Sequence, residues 1–144
     1  MADSIRERIF AAVETVMLAV DGIGQVSRGK IDPLAIQRYP AAFILPGADL
    51  VTEELNTLLT RDLQVFIFLW IRAQVDIHKV VEVVLPKVQQ AMVADNTLGG
   101  LTIDVTETEV QQPFPLSEDQ SEAGLVIDYA IKYRVRRDNP YAIS

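Results

Sequence analysis

Leu125-Val126-Ile127-Asp128-Tyr129-Ala130-Ile131-Lys132-Tyr133-Arg134-Val135 decides the fold of this chain. Its odd positions are all large and apolar or aromatic, while the even ones bring Asp128, Lys132 and Arg134, with Arg136 just beyond. Such period-two alternation predicts a long β-strand with one buried face and one wet, basic face. The strand must stop at Arg137-Asp138-Asn139-Pro140-Tyr141, because Pro140 offers no N–H to a ladder and biases the residue before it away from helix.

Residues 63–73 predict the core strand. Leu63, Val65, Ile67, Leu69, Ile71 and Ala73 share one side, and Gln64, Phe66, Phe68, Trp70 and Arg72 the other. Both sides are apolar in the middle, so both need cover. With helices on one side only, the aromatic side requires another layer, either a neighbouring subunit or loops of the same chain. Upstream, Tyr39 to Leu45 predicts a strand with Pro40 at its first positions, as an edge strand tolerates. Residues 46–61 are expected to form a loop or the tip of a hairpin, unusually apolar through Leu50, Val51, Leu55, Leu58 and Leu59.

The remaining elements follow from helical spacing and turn chemistry. Ser4 with Glu7 forms a capping-box pattern, and Ile5, Ile9, Ala12, Val13, Val16, Met17 and Val20 recur at three- and four-residue steps, predicting a helix over 4–20 that Asp21-Gly22 ends. Residues 25–30 suggest a short strand before the turn-like Ile31-Asp32-Pro33. Asp76 is placed to cap a second helix running to Ala94, with Pro86 expected to kink or split it. After Asp95-Asn96 and Gly99-Gly100, residues 101–106 alternate as a half-buried strand. Pro113-Phe114-Pro115 breaks the chain before an acidic loop. The order α-β-β-β-α-β-β predicts an α+β fold: a mainly antiparallel, mixed sheet with two helices packed on one face. One domain is expected over 1–144, with projecting loops near 46–60 and 112–123.

Composition narrows the function classes. Nearly half of the 144 residues are apolar and the net charge is −7, which argues against disorder and against nucleic acid as the main partner. The charge is uneven: Asp95, Asp104, Glu107, Glu109, Glu118, Asp119 and Glu122 fall in a stretch without Lys or Arg, directly before the basic final strand. Separated signs favour head-to-tail contact between copies. With no cysteine there are no disulfides or thiolate metal sites. The N-terminus has no signal-peptide pattern, so synthesis in the cytoplasm is expected. The most apolar run, residues 63–71, is too short to cross a bilayer.

Catalytic chemistry finds little to work with. His78 is the only histidine, so transition-metal sets and a Ser–base pair have no second member. Glu53 with Glu54, Glu107 with Glu109, and Glu118, Asp119 and Glu122 could face a hard cation, but none has EF-hand spacing. Asp21-Gly22-Ile23-Gly24 follows a helix rather than a strand, the wrong context for a phosphate loop. Neither enzyme activity nor a cofactor is expected. Lys132, Arg134, Arg136 and Arg137 fit phosphate contact, protection of a strand against edge-to-edge pairing, or an acidic loop of another copy.

The capped first helix, Tyr39-Pro40-Ala-Ala-Phe-Ile, the lead-in Thr60-Arg61-Asp62-Leu63-Gln64-Val65, the long second helix and the closing Tyr129-to-Tyr141 stretch together resemble the tail terminator proteins of long-tailed bacteriophages, a family that includes the minor tail protein U of phage lambda. The resemblance implies a virion protein that forms a ring, expected to be hexameric, at the head-proximal end of the tail. Such a ring ends growth of the tail tube and meets the head connector protein. On that reading Phe66, Phe68 and Trp70 with Lys132, Arg134 and Arg136 contribute subunit contacts. Leu50, Val51 and Leu55, with Phe114, Glu118 and Asp119, are candidates for docking the tail tube protein or the connector. Neither a membrane nor sequence-specific nucleic acid is an expected partner. Another head–tail connector or completion protein is the near alternative, and a small-molecule-binding α+β domain with the aromatic face as pocket wall is the alternative from a different class.

Overall fold

The computed structural model describes residues 3–143. Two helices, α1 (Ile5–Leu18) and α2 (Ile77–Ala94), pack on one side of a sheet built from β1 (Gln25–Arg28), β2 (Ala41–Leu55), β3 (Leu58–Arg72), β4 (Asp104–Val110), β5 (Phe114–Pro115) and β6 (Glu122–Arg136). The sheet is six-stranded in the order β1-β2-β3-β6-β4, and β5 follows β4 along the outer edge of β6. Only β1 runs parallel to its neighbour. The fold is therefore the α+β arrangement expected from the sequence, with β5 as a short extra strand.

The alternation of the final strand becomes burial directly. Leu125, Ile127, Tyr129, Ile131, Tyr133 and Val135 lie opposite Leu69, Ile67, Val65, Leu63, Arg61 and Leu59 of β3, and all six join the core beneath the helices. Ile5, Ile9, Val13 and Met17 of α1 and Val81, Val84, Val88 and Met92 of α2 meet them at helical spacing. Burying each such aliphatic side chain is worth about 1.5–3 kcal/mol, so this layer dominates the stability.

Several expectations change in detail. Of the two forms expected for residues 46–61, the structure has the hairpin and not the loop: β2 and β3 continue as one long hairpin that turns at Asn56-Thr57, with Asn56 in the left-handed region at φ 55°. Bulges between Pro46 and Asp49 and between Val51 and Glu53 reset the side-chain alternation, which hides the strand from a period-two reading. Gly47 is needed in the first bulge, since a Cβ there would lie 2.7 Å from Gln64 Oε1 and 2.8 Å from Phe66. Ala41–Ile44 is not an edge, because β1 pairs with it. Pro46 falls just past that pairing, where its missing N–H costs nothing.

Pro86 neither ends nor divides α2; it lies on the solvent side, where water can reach the carbonyl of Glu82 that it leaves without a partner. Only half of the capping box forms. Ser4 Oγ accepts from Glu7 N (3.0 Å), but the Glu7 carboxylate holds Arg28 instead of the Ser4 N–H. The fourth strand begins at Asp104 rather than Leu101, because Thr102 is tied back into the preceding turn through its N–H to Thr97 O and its hydroxyl to Asn96 O.

Candidate assembly surfaces

The aromatic face of β3 is closed largely by the chain itself. Phe68 is 8% exposed and sits at the centre of edge-on contacts with Phe43 (6.3 Å), Trp70 (6.3 Å) and Phe114 (5.9 Å). Ile31 and Ile36 from the β1–β2 crossover and Leu116 after β5 pack against this cluster. Gly124 makes the stacking possible: a Cβ there would meet Phe114 at 2.6 Å and Phe68 at 2.9 Å. Of the two layers considered for this face, loops of the same chain cover Phe43 and Phe68. Phe66 and Trp70 stay half-buried. Trp70 donates Nε1–H to Glu122 (3.2 Å), which also takes Arg72 at 3.0 Å, and Arg72 lies over the Tyr39 ring.

The basic row divides. Lys132 and Arg134 are exposed on the outer face of β6, Lys132 between Asp62 of β3 and Asp104 of β4, and Arg134 opposite Thr60. Arg136 instead turns to Asp138 (3.1 Å), and Arg137 pairs with Glu54. Exposed pairs of this kind contribute at most about 1 kcal/mol each.

Beyond Ile44 no strand among the described residues pairs with the outer edge of β2. That free arm carries Leu50, Val51 and Leu55, exposed by 62%, 49% and 61%. At the other end of the molecule, Glu118 and Asp119 stand exposed on the loop before β6. Asp119 Oδ1 accepts from Ser117 Oγ (2.9 Å), Ser121 N (3.1 Å) and Ser121 Oγ (2.7 Å), which fixes the loop's shape and lowers the Asp119 pKa. Phe114 is held in the aromatic cluster and belongs to the fold as much as to the surface.

One grouping has no counterpart in the sequence reading. Arg6 of α1, Arg61 of β3, and Arg136 and Arg137 at the end of β6 line a hollow of about 400 Å³ together with Ser4, Asp49, Leu59, Tyr133, Val135 and Pro140. Tyr133 donates its hydroxyl to Asp49 (2.7 Å), while Arg6 and Arg61 approach the same carboxylate only to 3.5 and 3.7 Å. Burial first, and then the Asp49 carboxylate, push the Tyr133 pKa up. No local pattern announces this hollow, since its arginines come from three elements distant in sequence. A second hollow of about 470 Å³ lies beside it, lined by Arg6, Phe10, Arg28 and Ile44 among others. There Glu7 grips Arg28 through two hydrogen bonds of 2.7 and 2.8 Å, and both arginines lie 5.7 Å from the Phe10 ring.

Acid–base groups are scattered rather than convergent. His78 is exposed on the first turn of α2. Asp128 is buried on the outer face opposite Phe66; burial, and then the nearby Glu109, raise its pKa, and its Oδ1 has no hydrogen-bond partner among the described residues. The Tyr129 hydroxyl is likewise buried and unpaired among the described residues, its pKa raised by burial and by Glu107. Among the described residues no group of three or more His, Asp and Glu side chains is placed to hold a metal ion. No helix among them is long and apolar enough to cross a membrane.

No protein-family model and no curated protein matches the chain. Among solved structures, it is similar to a chain of the "Virion of native gene transfer agent (GTA) particle", with a TM-score of 0.48 and 9% sequence identity over 90% of each chain.

Proposed function

We propose that this protein is a structural subunit of a phage-like tail: it closes into a ring on the end of the tail tube, stops the tube from growing and offers a surface to the head connector. The observation that carries the reading is the free arm of the β2–β3 hairpin. It combines a strand edge left unpaired among the described residues with exposed Leu50, Val51 and Leu55, and apolar side chains gathered on such an edge favour a docked partner. The sequence resemblance to tail terminators supports the same assignment.

In this reading the hairpin arm is the tube-docking element. Phe66 and Trp70, the latter packed edge-on against Phe68, and the exposed Lys132 and Arg134 contribute to contacts between subunits. The test is the mass of the purified protein by light scattering together with negative-stain electron microscopy, with and without tail tubes. Rings with a central hole that bind tube ends are expected, and a Leu50→Ser/Leu55→Ser variant should keep the ring but lose the tube. A protein that stays monomeric at every concentration overturns the proposal. A ring that binds the capsid connector but ignores tubes points instead to a head completion protein.

A further inference from the structure

We propose that the arginine-lined hollow beside the start of α1 is the receptor for the acidic loop 117–122 of a second copy of this chain, joining neighbouring subunits head to tail. This inference rests on the ring reading above and names the contact that builds it.

The hollow and the loop lie at opposite ends of one strand. Glu122 opens β6 and Arg136 closes it, and at about 3.3 Å per residue the two ends are roughly 45 Å apart. Within one copy they cannot meet. Between copies, like ends repel, so a two-fold pairing of identical patches is disfavoured, while basic end against acidic end is attractive. A heterologous contact of that type closes a ring when the rotation permits.

The chemistry of the two sides matches. A guanidinium carries five N–H donors in a planar fork suited to carboxylates. Among the described residues the Arg61 guanidinium makes no hydrogen bond and approaches Asp49 only to 3.7 Å, and Arg6 commits a single long bond of 3.5 Å to that carboxylate. Both therefore retain donors facing the hollow. Arg136 and Arg137, engaged by Asp138 and Glu54 at the rim, complete the basic lining. On the loop, the turn built around Asp119 holds Glu118 outward, with no partner among the described residues. Val75, 98% exposed, borders the same loop and shares a depression with Asp119, Gln120 and Ser121. Leu59, Val135 and Pro140 in the wall of the hollow give such a side chain an apolar seat.

The decisive experiment is a charge swap in the full chain, read by sedimentation velocity at low salt. Glu118→Arg and Arg61→Glu subunits, each alone, are expected to associate at least about tenfold more weakly than the original protein, the scale of one charge-assisted pair. Mixed in equal amounts they should recover, because every reversed loop then finds a reversed hollow. Arg61→Gln, which adds no charge beside Asp49, keeps the test valid should Arg61→Glu fail to fold, and it should weaken association in the same direction. Unchanged association of Glu118→Arg, or a mixture that does not recover, sinks the inference while leaving the ring standing. If the original protein is monomeric throughout, the inference and the ring reading fall together.

Discussion

On one face of β3, Leu63, Val65, Ile67, Leu69 and Ile71 lie fully buried beneath α1 and α2, whereas on the other Phe66 and Trp70 stay half-exposed around a buried Phe68. The first face is covered by two regular helices whose apolar stripes join it in one core. The second is covered by a crossover, a two-residue strand and aromatic rings packed edge-on. Aliphatic layering gives rigidity under a complete lid. Large rings bridge an incomplete one, each reaching over the gaps that irregular backbone leaves. A difference in truncation cost should follow. Ile67→Ala is expected to lose about 3–4 kcal/mol in urea unfolding, while Phe66→Ala loses about 1–2 kcal/mol. Equal losses would mean that the outer face is closed as tightly as the inner one.

Phe68 sharpens the contrast, because it belongs to the outer face by register and to the interior by burial. Phe68→Ala should cost about 3 kcal/mol even in a dilute, monomeric sample, since its neighbours come from the same chain. A loss below about 1 kcal/mol there, rising on assembly, would show that a second subunit rather than residues 31–36 and 114–116 supplies the cover.

The same contrast explains what could be read from the sequence. Strand β3 from Leu63 onward, β6 and both helices announce themselves, because each meets a regular partner and keeps one period over that length. The β2 arm did not, since its bulges at Gly47-Ala48 and Thr52 break the alternation that would mark a strand. Parallel pairing of β1 with β2 leaves no mark in either strand alone. The candidate surfaces were legible only in part. Exposed Leu50, Val51, Leu55, Glu118 and Asp119 could be named because exposure follows from their segments. The hollow around Asp49 could not, because Arg6, Arg61 and Arg136 are brought together by the packing of α1 across the end of the sheet.

Gly124 offers a smaller and more local test of the outer layer. Gly124→Ala places a methyl group against Phe114 and Phe68, and should cost about 1–2 kcal/mol, less than a core truncation because Phe114 can swing outward. In a Phe114→Ala background the same change should cost much less. A double-mutant cycle with no coupling would show that the two rings are not held against the strand as described.

The smallest effects concern charge, and here the two faces should differ in sign. On the helix side, the Arg28 hydrogen bonds hold the Glu7 pKa below its usual 4.5, so Glu7 adds stability that is present above that value and fades as pH falls through the folded-state pKa. On the outer face, the Asp128 pKa is raised above 3.8 by burial and by Glu109, so ionising it costs stability that is intact below that value and declines as pH climbs toward the folded-state pKa. Urea midpoints measured from about pH 3 to about pH 7 should therefore diverge. Relative to the original protein, Glu7→Gln should fall progressively behind as pH rises, by little because the pair is exposed, whereas Asp128→Asn should gain ground. Parallel curves for the two variants would remove the electrostatic difference between the faces and leave packing as the only asymmetry across β3.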